Sequence, residues 1–333
     1  GLLSLPAAES NYGGVPCEVY DISNSGNIMY FSVRFGWKLS ANYAGENHIN
    51  ACMIDFDGDS ENEIFYPMPN GLIYMWKNET LMPGFPLAFQ PVTKSYVWDG
   101  SSFYIPMQFQ NLARLYKLNN TDRRFVGNFP RSSWATHPVS VGDKIFLALN
   151  NTDNSNSYII CYDNTKDELQ HLQQFDYPVV SNMILFRNKL YVLNKNESSY
   201  SIWNYNLTNN EWEENDINLP ADSTLVAIFK APLQPKSING EGELIVQFTN
   251  SIYVFDNELK LLPGFPFIHN MQTTAPLTIA DWDINGTLDL IITSDEGFAI
   301  IDHSGSRMSP SSVFLPASDS LAFNSGAIVV DLD

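Results

Sequence analysis

Positive charge is scarce in this 333-residue chain, which has 18 Lys and Arg residues against 37 Asp and Glu and a formal net charge of -19 at pH 7. A surface that binds nucleic acid needs a basic stripe to displace counterions from the phosphates, and an anionic membrane surface also selects for basic residues. The composition therefore excludes both kinds of partner. Hydrophobic residues make up 44% of the chain, so it has enough apolar surface to fold around a core.

Cysteine and long apolar runs are also lacking. The three cysteines, Cys17, Cys52 and Cys161, show no CxxC spacing and are too few for a disulfide framework, so we expect them to be small buried hydrophobes. No apolar run approaches the ~18 residues of a membrane span. The chain starts at Gly1 without a basic region before an apolar stretch, so we expect a processed or trimmed start rather than an intact signal peptide.

Helical periodicity is missing as well. Instead, short alternating segments rich in Ile, Val, Tyr and Phe recur between Asn, Gly, Pro and Asp residues, as in residues 71–76 and 189–193. This alternation is typical of an all-β protein. The open question is whether the strands form a sandwich, a barrel or a repeat architecture, which internal repeats decide.

Three segments of the chain superpose without a gap when Asp55, Pro235 and Asp281 are taken as position 1. Position 9 is acidic and precedes an apolar stretch in all three copies, and position 17 opens a second such stretch. The position 9 residues are Glu63, Glu243 and Asp289. The first two copies also share a Pro-Gly-Phe-Pro tetrapeptide, which begins at Pro83 and at Pro263.

Weaker copies fill the middle of the chain, and we interpret residues 127–130 as a degraded form of the tetrapeptide. Repeats are expected to start near residues 48, 95, 135, 178, 224, 274 and 319. Their spacing of about 45 residues is that of a four-stranded propeller blade. The sequence therefore predicts a β-propeller of about seven blades (six to eight) over residues 38–333, with an incomplete last blade, after an N-terminal extension and hairpin at residues 1–37.

Two of the repeat loops are strongly acidic. Carboxylates stand at positions 1, 3, 5 and 9 of the first loop, and the last loop repeats the pattern with an amide at position 5. These residues are Asp55, Asp57, Asp59 and Glu63, then Asp281, Asp283, Asn285 and Asp289. Calcium takes six to eight oxygen ligands, which alternate residues of a tight loop supply, and without an ion such close carboxylates repel one another. The loops therefore predict calcium sites.

An EF-hand and an ion-free turn are the alternatives to a calcium site of the kind predicted for these loops. An EF-hand places its bidentate Glu at position 12, where Tyr66 and Ile292 stand here, and strands rather than helices follow, so the EF-hand is rejected. An Asx-rich turn without an ion is the second alternative, and its recurrence in one register makes it the weaker one. Pro235 and Ser237 replace the first two ligands in the middle copy, which is expected to bind no metal.

The Asp-x-Asp-Gly-Asp-x-x-x-Glu loop, followed by an apolar strand and Gly-x-x-Tyr, resembles the FG-GAP/VCBS repeats of calcium-binding β-propellers, found in integrin α-subunit heads and in exported bacterial proteins. The integrin Phe-Gly and Gly-Ala-Pro signature is absent, so the exported bacterial versions are the nearer match. The resemblance adds the carbonyls of Glu61 and Thr287 as ligands. The ligand sets it implies are Asp55, Asp57, Asp59, Glu61 and Glu63, and Asp281, Asp283, Asn285, Thr287 and Asp289.

The resemblance implies a calcium-stabilised, non-catalytic module for binding, cell adhesion or spacing, secreted or at the cell surface, with a protein or carbohydrate ligand at one propeller face. The five histidines are scattered, and no Gly-x-Ser-x-Gly, P-loop or Rossmann motif occurs. The alternative is a propeller polysaccharide lyase or glycoside hydrolase acting on acidic polysaccharide. A basic central funnel would favour that enzyme.

The two ends of the chain carry further expectations. Residues 19–33 predict a hairpin turning at residues 24–27, similar to the strand pair that joins catalytic and repeat modules in some secreted bacterial metalloproteases, or a simple edge hairpin. No HExxH motif is present, so the zinc site of such a parent would lie outside this chain. Asp331 and Asp333 align with Asp55 and Asp57 and open a third acidic loop. Either the chain is part of a longer one, or residues 326–331 pair with 18–35 to close the ring of a monomer.

Overall fold

In a computed structural model of the protein, the described residues are 17–20, 32–35 and 51–308, apart from 69, 93, 216, 218, 221, 232, 234–241, 295 and 296. Every regular element in this part of the chain is a β-strand, and its strand pairs are antiparallel. The described residues hold no helix of the length and apolar character that a membrane crossing needs. The all-β prediction is confirmed.

The N-terminal hairpin pairs β1 (Cys17–Tyr20) with β2 (Ser32–Phe35), and Val19 lies opposite Val33 as expected. Six sheets then follow one another along the chain, each built from consecutive strands. The first sheet contains β3 (Cys52–Ile54), β4 (Glu63–Pro67), β5 (Leu72–Lys77), β6 (Thr80–Leu81) and β7 (Leu87–Ala88). The second contains β8 (Val97–Trp98), β9 (Phe103–Phe109), β10 (Leu112–Leu118) and β11 (Arg123–Pro130).

The third sheet has five strands, the fourth and fifth have four, and the sixth has three among the described residues. The third contains β12 (Ser132–Trp134), β13 (Val139–Val141), β14 (Lys144–Asn151), β15 (Ser157–Asp163) and β16 (Glu168–Phe175). The fourth contains β17 (Ile184–Phe186), β18 (Lys189–Lys195), β19 (Tyr200–Asn206) and β20 (Glu211–Asn215). The fifth contains β21 (Leu225–Ala231), β22 (Glu243–Phe248), β23 (Ser251–Phe255) and β24 (Phe267–Ile268), and the sixth β25 (Thr278–Ala280), β26 (Asp289–Ser294) and β27 (Gly297–Ile301).

Among the described residues, the core consists of five apolar clusters, each lying between two consecutive sheets. Strand β9 shows why: Phe103 and Ile105 pack towards the first sheet, whereas Tyr104 between them packs towards the third. Alternate residues of a strand point to opposite faces, so an inner strand that is buried on both faces is apolar throughout. Phe65 and Phe103 stack across the first of these interfaces with ring centroids 3.7 Å apart.

The sheets begin close to the expected repeat starts at residues 48, 95, 135, 178, 224 and 274, so the repeat division is confirmed over the part of the chain that the structure describes. The start near residue 319 lies outside the described residues, as does the pairing of 326–331 with the hairpin. Within residues 51–308, none of the five clusters joins the sixth sheet to the first. Closure and a blade number of about seven stay predictions.

The two Pro-Gly-Phe-Pro tetrapeptides adopt one conformation. Both contain a cis Phe-Pro peptide bond, and in both the Phe N–H donates to a carbonyl three residues earlier, Phe85 to Met82 and Phe265 to Leu262, each at 3.1 Å. Residues 127–130 differ, because they lie inside β11 and pair with β10. Their interpretation as a degraded copy of this turn is wrong.

The middle repeat loop also differs from its gapless alignment. Ala231 lies opposite Glu243, as Ile54 lies opposite Glu63 and Ala280 opposite Asp289. Residues 232–242 therefore connect the same two strands that residues 55–62 and 281–288 connect, and the middle loop is three residues longer. Position 1 of this loop accordingly falls three residues before Pro235, and the ligand comparison made at Pro235 and Ser237 lies outside the described residues.

Candidate metal centre

The acidic residue that the gapless alignment places at position 9 is the first residue of a buried strand in all three copies. Glu63 and Asp289 are 0% exposed and Glu243 is 6% exposed. One carboxylate oxygen of each accepts a backbone N–H from the loop before it, which ties the loop to the strand. The three bonds join Phe56 N to Glu63 Oε2 (2.7 Å), Leu233 N to Glu243 Oε2 (2.7 Å) and Trp282 N to Asp289 Oδ2 (2.9 Å).

The first acidic loop is folded around the Asp55 side chain. Its carboxylate accepts the N–H groups of Gly58 (2.7 Å), Asp59 (3.0 Å) and Ser60 (2.9 Å). These bonds satisfy backbone donors that the tight turn leaves without partners, as Asx turns do. Asp55 therefore fixes the loop conformation whether or not the loop holds an ion.

Lys77, the last residue of β5, places its ammonium group among the carboxylates of this loop. Its Nζ lies 3.0 and 2.8 Å from the two Asp57 oxygens, contacts Asp59 Oδ2 and lies 3.1 Å from Glu63 Oε1. Hydrogen bonds to Asp57 and Asp59 raise the pKa of Lys77, and the bond from Lys77 lowers the pKa of Asp59. Glu63 Oε1 has no well-aligned hydrogen-bond donor, so its contact with Lys77 is ionic.

The last acidic loop is folded in the same way around Asp281. Its Oδ1 accepts the N–H of Asn285 (3.0 Å) and its Oδ2 that of Gly286 (2.8 Å). One carboxylate oxygen from each of Asp281, Asp283 and Asp289 lies within 4.8 Å of the other two, and the same is true of Asp55, Asp57 and Glu63 in the first loop. Each loop therefore brings three of its expected carboxylate ligands together.

No cationic side chain in the described part of the chain forms an ion pair with the three carboxylates of the last loop. Asp289 Oδ1 is buried and has no hydrogen-bond partner there. Burial raises the pKa of Asp289, and the negative charges of Asp283, Asp281 and Asp302 raise it further. A buried carboxylate without a positive partner is costly, and a cluster of oxygen ligands suits a hard cation such as calcium.

Strand register explains the difference between the two loops. In the first sheet Ile64 pairs with Trp76, so the next position places Lys77 opposite Glu63. In the sixth sheet Leu290 pairs with Ile301, and the residue that follows, opposite Asp289, is Asp302. The turn between β4 and β5 is one residue longer than the turn between β26 and β27. The gapless alignment ignores this difference and therefore matches Lys77 with His303. Sequence reasoning missed Lys77 for this reason.

The side chains of Glu61 and Asn285 have protein partners. Glu61 accepts a hydrogen bond from Asn78 Nδ2 at 2.8 Å, and Asn285 Oδ1 accepts the N–H of Thr287 at 2.7 Å. Asp331 and Asp333 lie outside the described residues, so the third acidic loop stays a prediction. Of the cysteines, Cys161 is buried and Cys52 partly buried, and both are free thiols. The side chain of Cys17 lies outside the described part.

Solved structures that resemble this chain are propeller-like. A prolyl endopeptidase structure has a TM-score of 0.50 at 10% identity, over 92% of this chain and 47% of that chain. A quinonprotein alcohol dehydrogenase-like protein from Bacteroides thetaiotaomicron has a TM-score of 0.49 at 14% identity, over 78% of this chain and 66% of that chain. An extracellular domain of a chain assigned to a hybrid two-component system of the same organism has a TM-score of 0.49 at 16% identity, over 85% and 36%.

No family model matches the sequence. No curated protein matches it either. This chain spans less than two thirds of the length of each of the three structures named above. At these identities the likeness concerns the fold alone. Together with the six consecutive antiparallel sheets, it shows that the chain has a β-propeller-type fold.

Proposed function

We propose that this protein is a calcium-stabilised, non-catalytic β-propeller that serves as a binding, adhesion or spacer module of an exported bacterial protein. The observation that carries the proposal is the fully buried Asp289, whose Oδ1 has no partner in the described part of the chain and lies beside Asp281 and Asp283. The sequence resemblance to FG-GAP/VCBS repeats supports calcium as the ion.

Five residues of the last loop would hold the ion. They are Asp281, Asp283, Asn285, Asp289 and, through its carbonyl, Thr287. Calcium would supply two positive charges to a group of three carboxylates that have no cationic partner among the described residues. Because Asp289 begins β26 and Asp281 follows β25, an ion bound by both would tie two neighbouring strands of the sixth sheet together.

The ion pairs that cationic side chains form with acids of the same chain support a non-catalytic role. A propeller enzyme acting on acidic polysaccharide needs positive groups that are free to face the substrate. In the described residues, six of the cations are already paired with acids of the same chain. The paired cations are Lys77, Lys117, Arg124, Lys166, Lys189 and Lys260.

An exported location fits the calcium affinity that is typical of extracellular calcium-binding modules. Calcium modules outside cells typically bind with Kd of about 10⁻⁴–10⁻³ M, which only extracellular calcium concentrations satisfy. A protein or carbohydrate ligand would then dock at one face of a propeller held together in part by calcium. A glycan and peptide array probed with the calcium-loaded protein tests for such a ligand. Release of unsaturated or reducing ends from pectins by the purified protein would instead support the enzyme alternative.

Calcium titration of the intact protein by isothermal calorimetry tests the metal site. We expect binding in the wild type and its loss in Asp289→Asn, which keeps an acceptor for the Trp282 N–H but removes the buried charge. Glu243→Gln is the matched control, because it changes the position 9 acid of the middle loop in the same way. A calcium stoichiometry that Asp289→Asn leaves unchanged, or no binding in the wild type, would refute the proposal.

A further inference from the structure

The ammonium group of Lys77 occupies the centre of the first acidic loop. It contacts Asp57, Asp59 and Glu63, three of the side chains that this loop would offer to calcium. Calcium binds oxygen at about 2.3–2.6 Å, and the ammonium lies 2.8 Å from one Asp57 oxygen and 3.1 Å from Glu63 Oε1. An ion bound by these oxygens would occupy the space of the ammonium, so the loop accommodates one cation or the other.

The position of Lys77 is built into the fold. Lys77 pairs with Thr80 across a two-residue turn, in which Asn78 and Glu79 are both left-handed with φ of 48° and 62°. The Asn78 side chain also donates to Glu61 in the acidic loop at 2.8 Å. The hairpin end and the loop are therefore tied together, and the Lys77 side chain, 20% exposed, enters between them.

Both loops meet the same electrostatic requirement by different means. Glu63 and Asp289 are fully buried carboxylates at equivalent strand positions. Glu63 has Lys77 on the opposite strand, whereas the register of the sixth sheet offers Asp289 another acid, Asp302. A nearby positive charge stabilises a buried carboxylate. Lys77 supplies that charge in the first loop, and a cation from solution would supply it in the last.

We infer that Lys77 replaces the calcium ion of the first acidic loop, so that this loop is closed to divalent cations and, of the first and last acidic loops, only the last binds calcium. The inference rests on the proposed function for the last loop but makes a separate statement about the first. It reverses the sequence prediction that Asp55, Asp57, Asp59, Glu61 and Glu63 form a calcium site of their own.

Counting bound ions tests the inference, with calcium as the probe in calorimetric titrations of the full chain. Asp289→Asn measures any calcium binding that is left when the last loop is disabled. In that background we expect no binding by the first loop with Lys77 present, and one added ion per chain when Lys77→Met removes the ammonium. Lys77→Arg is the matched control, since it keeps the positive charge and should keep the loop closed.

A second variant covers the case in which Lys77→Met does not fold. Asp57→Asn in the otherwise wild-type chain removes a carboxylate that would be a ligand of the first loop, and it should leave the calcium affinity and stoichiometry unchanged. An ion lost in Asp57→Asn would overturn the inference and leave the last loop untouched. Lys77→Met that folds but gains no ion would also overturn it. A stoichiometry that Asp289→Asn leaves unchanged bears on the proposed function instead, which separates the two failures.

Discussion

The first and last acidic loops share the spacing of their acids and the fold of their backbone, but they differ in what faces the buried carboxylate. Asp55 and Asp281 each organise a tight turn by accepting backbone N–H groups, and Glu63 and Asp289 each begin a buried strand. The difference comes from the next strand, where the first sheet presents Lys77. A nine-residue motif therefore brings a group of oxygens together, and a residue outside the motif determines whether a cationic side chain of the protein contacts them.

The two Pro-Gly-Phe-Pro turns, which belong to the first and middle copies, offer a second comparison. Gly84 and Gly264 have nearly the same left-handed φ, 83° and 87°. A Cβ at Gly264 would lie 1.8 Å from the carbonyl oxygen of Ser304, whereas a Cβ at Gly84 would lie 3.1 Å from the end of the flexible Arg123 side chain. The second turn packs against the backbone beyond β27, next to the proposed calcium loop, and the first turn has room around it.

The largest expected effect follows from this contact. Gly264→Ala should destabilise the protein by about 3–4 kcal/mol, because the left-handed φ costs about 1 kcal/mol and the overlap with Ser304 forces two backbone segments apart. Gly84→Ala should cost only about 1 kcal/mol, since the Arg123 side chain moves easily. Urea unfolding of both variants measures the difference. Equal losses would show that the two turns are packed alike and would remove this part of the comparison.

The next effect separates the two loops by their response to calcium. At 100 times the Kd, one bound ion adds about 2.7 kcal/mol to the free energy of unfolding. Amide hydrogen exchange should therefore slow in β26 and β27 on addition of calcium, by up to about a hundredfold if the ion must leave before these strands open. In β4 and β5, exchange should slow only as far as the higher free energy of unfolding of the whole protein requires. Equal added protection in both pairs of strands would indicate ions in both loops.

Much of this architecture could be predicted from the sequence, because strand alternation and repeat spacing are local signals. The acids at Glu63 and Asp289 could be aligned since eight residues separate them from Ile54 and Ala280 in both copies. What could not be predicted depends on turn lengths, because these set which residues pair. The turn between β4 and β5 is one residue longer than that between β26 and β27, so Lys77 lies opposite Glu63 in place of Trp76, the residue aligned with Asp302. Residues 127–130 likewise match a turn in composition but lie in a strand whose partner, β10, is set by the whole sheet.

A third effect concerns pH and belongs to neither loop. Burial, and then the charge of Lys94, lowers the pKa of His137 to about 4, and its Nδ1 accepts the N–H of Ser95 at 2.7 Å. The unfolded chain takes up this proton near its ordinary pKa of 6.5, so it binds more protons than the folded chain between pH 4 and 6.5. Stability should therefore fall as the pH drops through this window, by about 2 kcal/mol after allowing for the partly exposed ring.

His137→Asn is the control for this pH effect, because its side-chain oxygen can accept the Ser95 N–H but does not titrate. Unfolding in chelator at pH 7 and pH 4.5 should show a smaller loss of stability for this variant than for the wild type. The measurement sharpens the comparison of the loops, since it separates proton uptake at His137 from protonation of the acidic clusters. An identical loss in both proteins would rule out His137 as a source of the pH dependence.

The smallest expected effect lies at position 4 of the two loops, where both backbones are left-handed. The first loop has Gly58 there, with φ of 81° and nothing within 4 Å of an added Cβ, whereas the last loop has Ile284, with φ of 58° and 85% exposed. A β-branched residue pays about 1–2 kcal/mol for this conformation and gains little from packing when it is exposed. Ile284→Gly should therefore stabilise the protein by about 0.5–1 kcal/mol, less than the full strain because glycine loses more chain entropy on folding.

Gly58→Ile should have the opposite effect and destabilise the protein. Both are measured by urea unfolding in chelator, where calcium cannot mask the change, and a destabilised Ile284→Gly would show that this side chain has a packing role that its exposure hides.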